Sequence, residues 1–445
     1  MDEISIDSPT KDIKKYFRKL GRLPSDFDGD IFLPFLNHEN DEIRLLAIKN
    51  LGKLKDKKYL ETAKNVWKND EDSMVRREAV STIGRMKCGE IIPTLIEILD
   101  DDDPKVVLQA IRGLLPFKKT DEVSQAFEKI RDHPNEVVQQ VIRMETNPMG
   151  KYQYDAVGFP DYLNNVVVNG DVLEVLKNVP EESVHLTFTS PPYYNARDYS
   201  IYKSYEEYIN FLTDVFKEVH RITKEGRFFI LNTSPVILPR AGRKYASKRY
   251  AIPFDMHAKL VEIGWEFIDD IIWVKPEGAA KNRVGGFLQH RKPLAYKPNM
   301  VSEYLLVYRK KTDRLIDWNM KQYDNDIIEE SKVLGDIDNS NVWYIQPDND
   351  KIHTAVFPEE LCEKVIKYYS YKGDLVFDPF GGSGTFGRTA IRMDRSFFMT
   401  EIQEDYFKRI SEKMANVPLS VLKKPNFYKL SEFKEVVKNG SENKE

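Results

Sequence analysis

The sequence predicts two joined architectures: an all-α array of helical hairpins over residues 1–150, then an α/β domain with a mostly parallel sheet over 151–420. Three observations predict it. A helical unit recurs through the first third of the chain. A cluster of chain breakers, Glu145-Thr146-Asn147-Pro148-Met149-Gly150, follows the last unit. Beyond that cluster, short β-rich runs alternate with helical stretches.

The repeat is taken first, because a missed period misassigns everything after it. Glu42-Ile43-Arg44-Leu45-Leu46-Ala47-Ile48, Met74-Val75-Arg76-Arg77-Glu78-Ala79-Val80 and Lys105-Val106-Val107-Leu108-Gln109-Ala110-Ile111 align with their alanines 32 and then 31 residues apart. Each unit opens after an acidic turn, at Glu39-Asn40-Asp41, Asn69-Asp70-Glu71-Asp72 and Asp101-Asp102-Asp103-Pro104. A second apolar helix follows each time, at 59–67, 91–99 and 123–130. A small residue where two helices cross, with apolar neighbours at helical spacing, is what stacked hairpins require. The array resembles HEAT-type repeats. It reads either as a bundle packed against the rest of the chain or as a binding surface for DNA or a protein, and the residues name no partner.

In the second region Val166-Val167-Val168, Val184 to Thr189, Phe228 to Leu231, Phe267 to Trp273, Tyr304 to Tyr308, Leu375 to Phe377 and Phe397 to Thr400 read as strands. Helices are expected at 172–177 and 205–222. The last segment, 421–445, is polar and rich in Lys and Glu, which predicts a partly disordered tail.

Composition narrows the class. No apolar run reaches membrane-spanning length, and Met1-Asp2-Glu3-Ile4 lacks the basic and apolar regions of a secretory leader. Cys88 and Cys362 stand alone, so no metal site is expected and a reducing cytoplasm is the expected location. The net charge of −4 gives no global support for nucleic-acid binding, so the placement of local basic clusters matters more.

Two strand-end motifs carry chemistry. Asp378-Pro379-Phe380-Gly381-Gly382-Ser383-Gly384-Thr385 follows the apolar run Leu375-Val376-Phe377. Glycines in such a turn let the backbone approach a ligand and start a helix whose N-terminus faces it. Glu401, sixteen residues past Thr385 at the end of the next strand, is placed to accept both hydroxyl hydrogens of a ribose. The second motif is Thr189-Ser190-Pro191-Pro192-Tyr193, at the carboxyl end of the strand Val184 to Phe188. Pro191 and Pro192 donate no amide hydrogen and stiffen the backbone, leaving carbonyls directed into a site.

Together these motifs resemble the amino-methylating DNA methyltransferases, whose signature is (Asp/Asn/Ser)-Pro-Pro-(Tyr/Phe) with a glycine-rich cofactor loop. The order, Ser190-Pro191-Pro192-Tyr193 before Asp378 to Thr385, is similar to the β group of that family. Asn169-Gly170-Asp171, Trp273-Val274-Lys275-Pro276, Ser302-Glu303-Tyr304 and His353 to Leu361 match further landmarks, so the resemblance covers about 160–412 and not the repeats.

The resemblance implies a Rossmann-like sheet, S-adenosylmethionine as cofactor and duplex DNA as substrate, in a restriction-modification or epigenetic setting. It assigns the methionine part of the cofactor to Asp378, Pro379, Phe380, Gly381, Gly382, Ser383, Gly384 and Thr385 with His353, Phe357 and Pro358. Glu401 would hold the ribose and Asp171 the adenine. Ser190 and Pro191 are the expected acceptors for the hydrogens of the base amine, and Tyr193 the platform on which an everted base stacks. In the family, a serine at position 190 accompanies cytosine-N4 chemistry more often than adenine-N6. Adenine N6, an RNA substrate, and a cofactor-binding adaptor without turnover remain the alternatives. Dimers are common in the family, and the sequence does not decide the point.

Two basic stretches are the expected phosphate contacts. One holds Arg240, Arg243, Lys244, Lys248 and Arg249, with Tyr245 and Tyr250 interleaved. The other holds Lys275, Lys281, Arg283, His290, Arg291, Lys292 and Lys297, within an expected DNA-recognition insertion at 275–350.

Overall fold

The computed structural model describes residues 4–24, 26–146, 155–194, 202–238, 244, 248–277, 291–294, 296, 298, 300–312, 314–348, 357–415 and 424–442. The chain divides into two compact units, Met1–Gln153 and Tyr154–Glu445. No helix among the described residues is long and apolar enough to cross a membrane.

The described elements of the first unit are helices. After α1 (Thr10–Lys19) come three hairpins: α2 (Asp41–Leu54) with α3 (Leu60–Asn69), α4 (Ser73–Arg85) with α5 (Ile92–Glu97), and α6 (Pro104–Leu114) with α7 (Asp121–Lys129). A further helix, α8 (Glu136–Thr146), follows outside the repeat pattern and packs Val138 and Ile142 into the same core. Ala47, Ala79 and Ala110 are fully buried, as helix crossings demand. The acidic turns are N-caps: Asn40 accepts from the Ile43 amide, Asp72 from Met74 and Val75, and Asp103 from Lys105. Their neighbours tie one unit to the next. Asp70 receives the Arg44 guanidinium in two bonds of 2.8 and 2.9 Å, and Asp101 receives the Trp67 indole N–H at 2.7 Å. Gly84 and Gly113 let α4 and α6 meet backbone to backbone, since a Cβ on Gly84 would lie 3.1 Å from the Gly113 Cα.

The second unit is built on a nine-stranded sheet. Its strands are β1 (Val166–Asn169), β2 (Val184–Thr189), β3 (Thr223–Thr233), β6 (Trp265–Val274), β7 (Ser302–Lys310), β8 (Val342–Tyr344), β9 (Leu375–Asp378), β10 (Ser396–Glu401) and β11 (Asn426–Lys429). Between β3 and β6, β4 (Val236–Leu238) and β5 (Lys248–Tyr250) form a separate hairpin. The order across the sheet is β11-β1-β10-β9-β2-β3-β7-β6-β8. Among the described strands of this sheet, only β7 runs against its neighbours. Period-two alternation sends Val376, Phe397 and Met399 to one face, against Leu361, Ile366, Phe386 and Ile410. Phe377 and Phe398 face the other side, against Leu212, Val215 and Phe216 of the helix Tyr205–Ile222. Both faces are covered, as a parallel sheet requires.

At the amino-terminal ends of the central strands lies a buried polar network. Asp374 accepts from the Arg227 guanidinium, the Tyr323 hydroxyl and the Tyr371 amide. The neighbouring His185 accepts from the Leu375 amide through Nδ1, and burial lowers its pKa to about 4, which keeps it neutral.

Two expectations are corrected. The segment expected as a partly disordered tail supplies β11, which pairs in parallel with β1, and the helix Leu430–Glu442. Its apolar residues are few but well spaced, and Phe433 is fully buried between Tyr162 and Phe398. The expected DNA-recognition insertion is also divided. β7 is an interior strand of the sheet, and Asn319 and Tyr323 bond to Gly226 and Asp374 at the end of the sheet opposite the Ser-Pro-Pro-Tyr motif. Trp343 is core, 4% exposed.

Candidate active site

β2 and β9 lie side by side in parallel, with Leu186 opposite Val376 and Thr187 opposite Phe377. Their carboxyl ends therefore emerge together, where open α/β sheets bind ligands. The Thr189 hydroxyl donates to Asp378 Oδ1 at 2.7 Å, and the same oxygen accepts from the Phe380 amide at 3.0 Å. Burial raises the Asp378 carboxyl to about 6, while those two hydrogen bonds pull it back down. Asp378 thus anchors the glycine loop to the strand that carries Ser190.

The loop turns through positive φ at Gly382 (52°) and Gly384 (73°). A Cβ on Gly384 would lie 2.9 Å from Ile410 Cγ2, so both conformation and space call for glycine there. The helix Thr385–Arg392 starts directly after it. Glu401, at the tip of β10, accepts the Gly382 amide at 2.8 Å on Oε2 and the Gln403 amide at 2.7 Å on Oε1. Each carboxylate oxygen keeps a lone pair for a further donor, which suits a vicinal diol. Burial raises Glu401 to about 7 against those amide bonds, with the Asp378 charge adding to the rise.

Asp171 caps the helix Val172–Leu176, accepting from the Leu173 and Glu174 amides on Oδ1. It stands next to the β1–β10 pairing, where Asn169 is opposite Glu401. Phe357 stacks on Phe188 of β2 with ring centroids 4.4 Å apart, and Pro358 precedes the helix Glu359–Tyr369. Position 353 lies outside the described residues. Among the described residues no cluster of His, Cys, Asp or Glu is arranged to hold a metal ion.

Around Ser190 the structure brings together residues that the sequence did not single out as a group. Asn232, in β3, donates through Nδ2 to Ser190 Oγ at 3.3 Å and to Glu303 Oε2 at 2.7 Å. The Tyr193 hydroxyl donates to the same Glu303 oxygen at 3.0 Å, and Lys275 forms an ion pair with Glu303 Oε1. Burial first, and then the Glu303 charge, push the Tyr193 phenol well above its usual value, so it stays protonated. Pro191 is buried, while Pro192 is half-buried. Asn232 carries no motif, and only its position one residue past the partner of Thr189 could have drawn notice.

The basic residues divide. Lys248 and Arg249 are exposed on β5, as is Lys244 before it, and Lys248 lies over the Tyr250 ring at 4.5 Å. Arg291 and Lys292 are exposed. Lys275 differs from the expected phosphate contact, because its ammonium is engaged by Glu303 and sits over Trp273. Positions 240, 243, 245, 281, 283, 290 and 297 lie outside the described residues.

The DNA methylase family profile matches residues 184–413, spanning both strand tips and everything between them. The chain belongs to the DNA methylase family. HEAT repeat profiles match residues 29–115 and 68–145 of the first unit. Among relatives, the type II methyltransferase M.ScaI of Streptomyces caespitosus is 32% identical over 263 residues, which cover 56% of this chain and 82% of that one. The DNA adenine methyltransferase YhdJ of Escherichia coli is 28% identical over 252 residues, 54% of this chain and 80% of that protein. A protein of Thermus thermophilus assigned as a DNA modification methylase, solved with S-adenosyl-L-methionine, superposes with a TM-score of 0.47 at 25% identity, covering 60% of this chain and 97% of that one. S-adenosylmethionine is the methyl donor of the DNA methylase family, and DNA is its substrate.

Proposed function

We propose that the protein transfers a methyl group from S-adenosylmethionine to an exocyclic base amine in duplex DNA, with cytosine N4 as the target. One observation carries the reading. The Ser190 tip and the glycine loop end adjacent parallel strands and are joined by the Thr189–Asp378 hydrogen bond. A donor bound at one tip and an amine presented at the other would meet without further movement of the sheet.

Bound in the loop, S-adenosylmethionine supplies an electrophilic methyl group on a sulfonium. Asp378 to Thr385, with Phe357 and Pro358, would hold its methionine part, Glu401 its ribose and Asp171 its adenine. The amine of cytosine is a poor nucleophile because its lone pair is delocalised into the ring. The Ser190 hydroxyl and the Pro191 carbonyl accept its two hydrogens and so favour a more tetrahedral nitrogen with its lone pair directed at the methyl. Tyr193 stacks on the everted base. Orientation and fixed dipoles do most of the work, and no strong base is required before transfer. Lys244, Lys248, Arg249, Arg291 and Lys292 are the phosphate contacts.

Ser190 in the Ser-Pro-Pro-Tyr motif favours cytosine N4. Adenine N6 is the second reading, supported by the E. coli adenine methyltransferase among the relatives. The test is incubation with methyl-labelled cofactor and unmethylated plasmid DNA, followed by digestion to nucleosides. Label in N4-methylcytosine is expected. Label in N6-methyladenine reassigns the base, and a DNA that stays unlabelled while RNA is labelled overturns the substrate.

A further inference from the structure

Four neighbouring strands each deliver one polar side chain to the same end of the sheet. Ser190 follows β2, Asn232 stands in β3, Glu303 in β7 and Lys275 directly after β6. Because β7 runs antiparallel, its first residues come level with the end of β3, with Tyr304 opposite Thr233. The result is a continuous line of contacts from Ser190 through Asn232 to Glu303 and Lys275, with Tyr193 donating to the same Glu303 oxygen as Asn232.

The line has a defined direction. Asn232 is 2% exposed, and its amide nitrogen must face Glu303, since the amide oxygen there would oppose a carboxylate. The second N–H of that nitrogen then goes to Ser190 Oγ, so Ser190 accepts from Asn232 and cannot pass a proton to it. The Tyr193 hydroxyl donates to the same Glu303 oxygen, so its proton is not directed at Ser190 Oγ. The Asn232 bond takes one lone pair of Ser190 Oγ and leaves the other for a further donor. That is the arrangement an amine hydrogen requires.

We infer that Glu303 is a positioning residue that acts through Asn232 to hold the Ser190 hydroxyl as an acceptor for the base amine. This rests on the reading that Ser190 touches the target amine. Lys275 offsets the Glu303 charge from the far side, which makes its ion pair part of the site rather than a phosphate contact.

The experiment measures single-turnover methyl transfer from labelled S-adenosylmethionine to unmethylated plasmid DNA, together with cofactor binding, in the full chain. Asn232→Ala and Glu303→Ala are expected to slow transfer about tenfold to a hundredfold, as supports of a reacting group do. Cofactor affinity should stay within about twofold, and Glu303→Gln, which keeps an oxygen for Asn232, should recover part of the rate. In a Ser190→Ala background the same substitutions should cost less than about twofold more, because they act through a group already removed. Losses that multiply in that background, or single variants that bind cofactor and run at the parent rate while Ser190→Ala is slow, overturn the inference and leave the reading of Ser190 standing. Should Glu303→Ala fail to bind cofactor, Asn232→Ala and Glu303→Gln carry the same comparison. A parent rate in Ser190→Ala itself removes the reading and the inference together.

Discussion

The Thr189 hydroxyl and the Asp378 carboxylate, 2.7 Å apart and both buried, join the strand that ends in Ser-Pro-Pro-Tyr to the strand that ends in the glycine loop. That bond also restrains the rise of Asp378 caused by burial. Thr189→Val keeps the shape and removes the donor. The Asp378 carboxyl should then rise beyond about 6, and cofactor affinity at neutral pH should fall about tenfold, the cost of a lost hydrogen bond to a charged group. Calorimetric titration with S-adenosylmethionine measures this.

Glu401 gives the cofactor site a pH dependence of known sign. Its carboxyl is raised to about 7 in the free protein, whereas ribose hydroxyls and a cationic cofactor favour the carboxylate. Affinity should therefore rise with pH up to about 7 and level off above it. The slope below 7 should approach one proton released on binding. The Glu401 contribution to stability without cofactor runs the other way: the folded state holds its extra proton between about 4.3 and 7, so this contribution falls as pH rises through that window, against the rise that buried His185 contributes. Glu401→Gln should remove the Glu401 share of both slopes and leave the part below about 6 that Asp378 contributes.

The Arg227–Asp374 pair should matter to folding and not to chemistry, because it lies at the opposite end of the strands. Arg227→Met leaves Asp374 buried without its cation, although Tyr323 and Tyr371 still donate to it. A loss of about 3–5 kcal/mol in urea unfolding is expected, with unchanged methyl transfer below the transition.

Much of this arrangement was legible because the signals are local. Ala47, Ala79 and Ala110 mark the helix crossings, and each strand tip carries its chemistry within a few residues, as in Ser190 to Tyr193 and Asp378 to Thr385. Asn232 and Glu303 were not grouped with Ser190, since their contact joins residues 71 apart and depends on register across three strands. The Lys275–Glu303 ion pair was hidden for the same reason: a lysine in a basic run looks solvated until its partner is known. The region 421–445 looked partly disordered because its buried residues are diluted by charge, and only the spacing of Phe427, Leu430, Phe433 and Val437 hinted at a strand and a helix.

Phe433 tests that correction. It is fully buried against Tyr162 and Phe398, so Phe433→Ala should lower stability by about 3 kcal/mol or more. A disordered segment would show no change.

The repeat unit permits an independent test. Gly84 faces Gly113 across α4 and α6, with no room for a side chain between their backbones. Gly84→Val should force the helices apart and cost about 1–3 kcal/mol in the unfolding of this unit, while Gly89→Val, where a Cβ meets nothing within 4 Å, should cost far less.

The central pairing of β2 with β9 also imposes an order of assembly. Thr189 and Asp378 are 189 residues apart, whereas the repeat hairpins close between neighbours. During synthesis the helical hairpins can complete themselves as they emerge, in the manner of low-contact-order structure. β2 must wait with one flank unpaired until β9 has been made, and an unpaired strand is an invitation to associate with the wrong chain. Refolding of the second unit should accordingly be the slow and concentration-sensitive phase, and the site is among the last features to form.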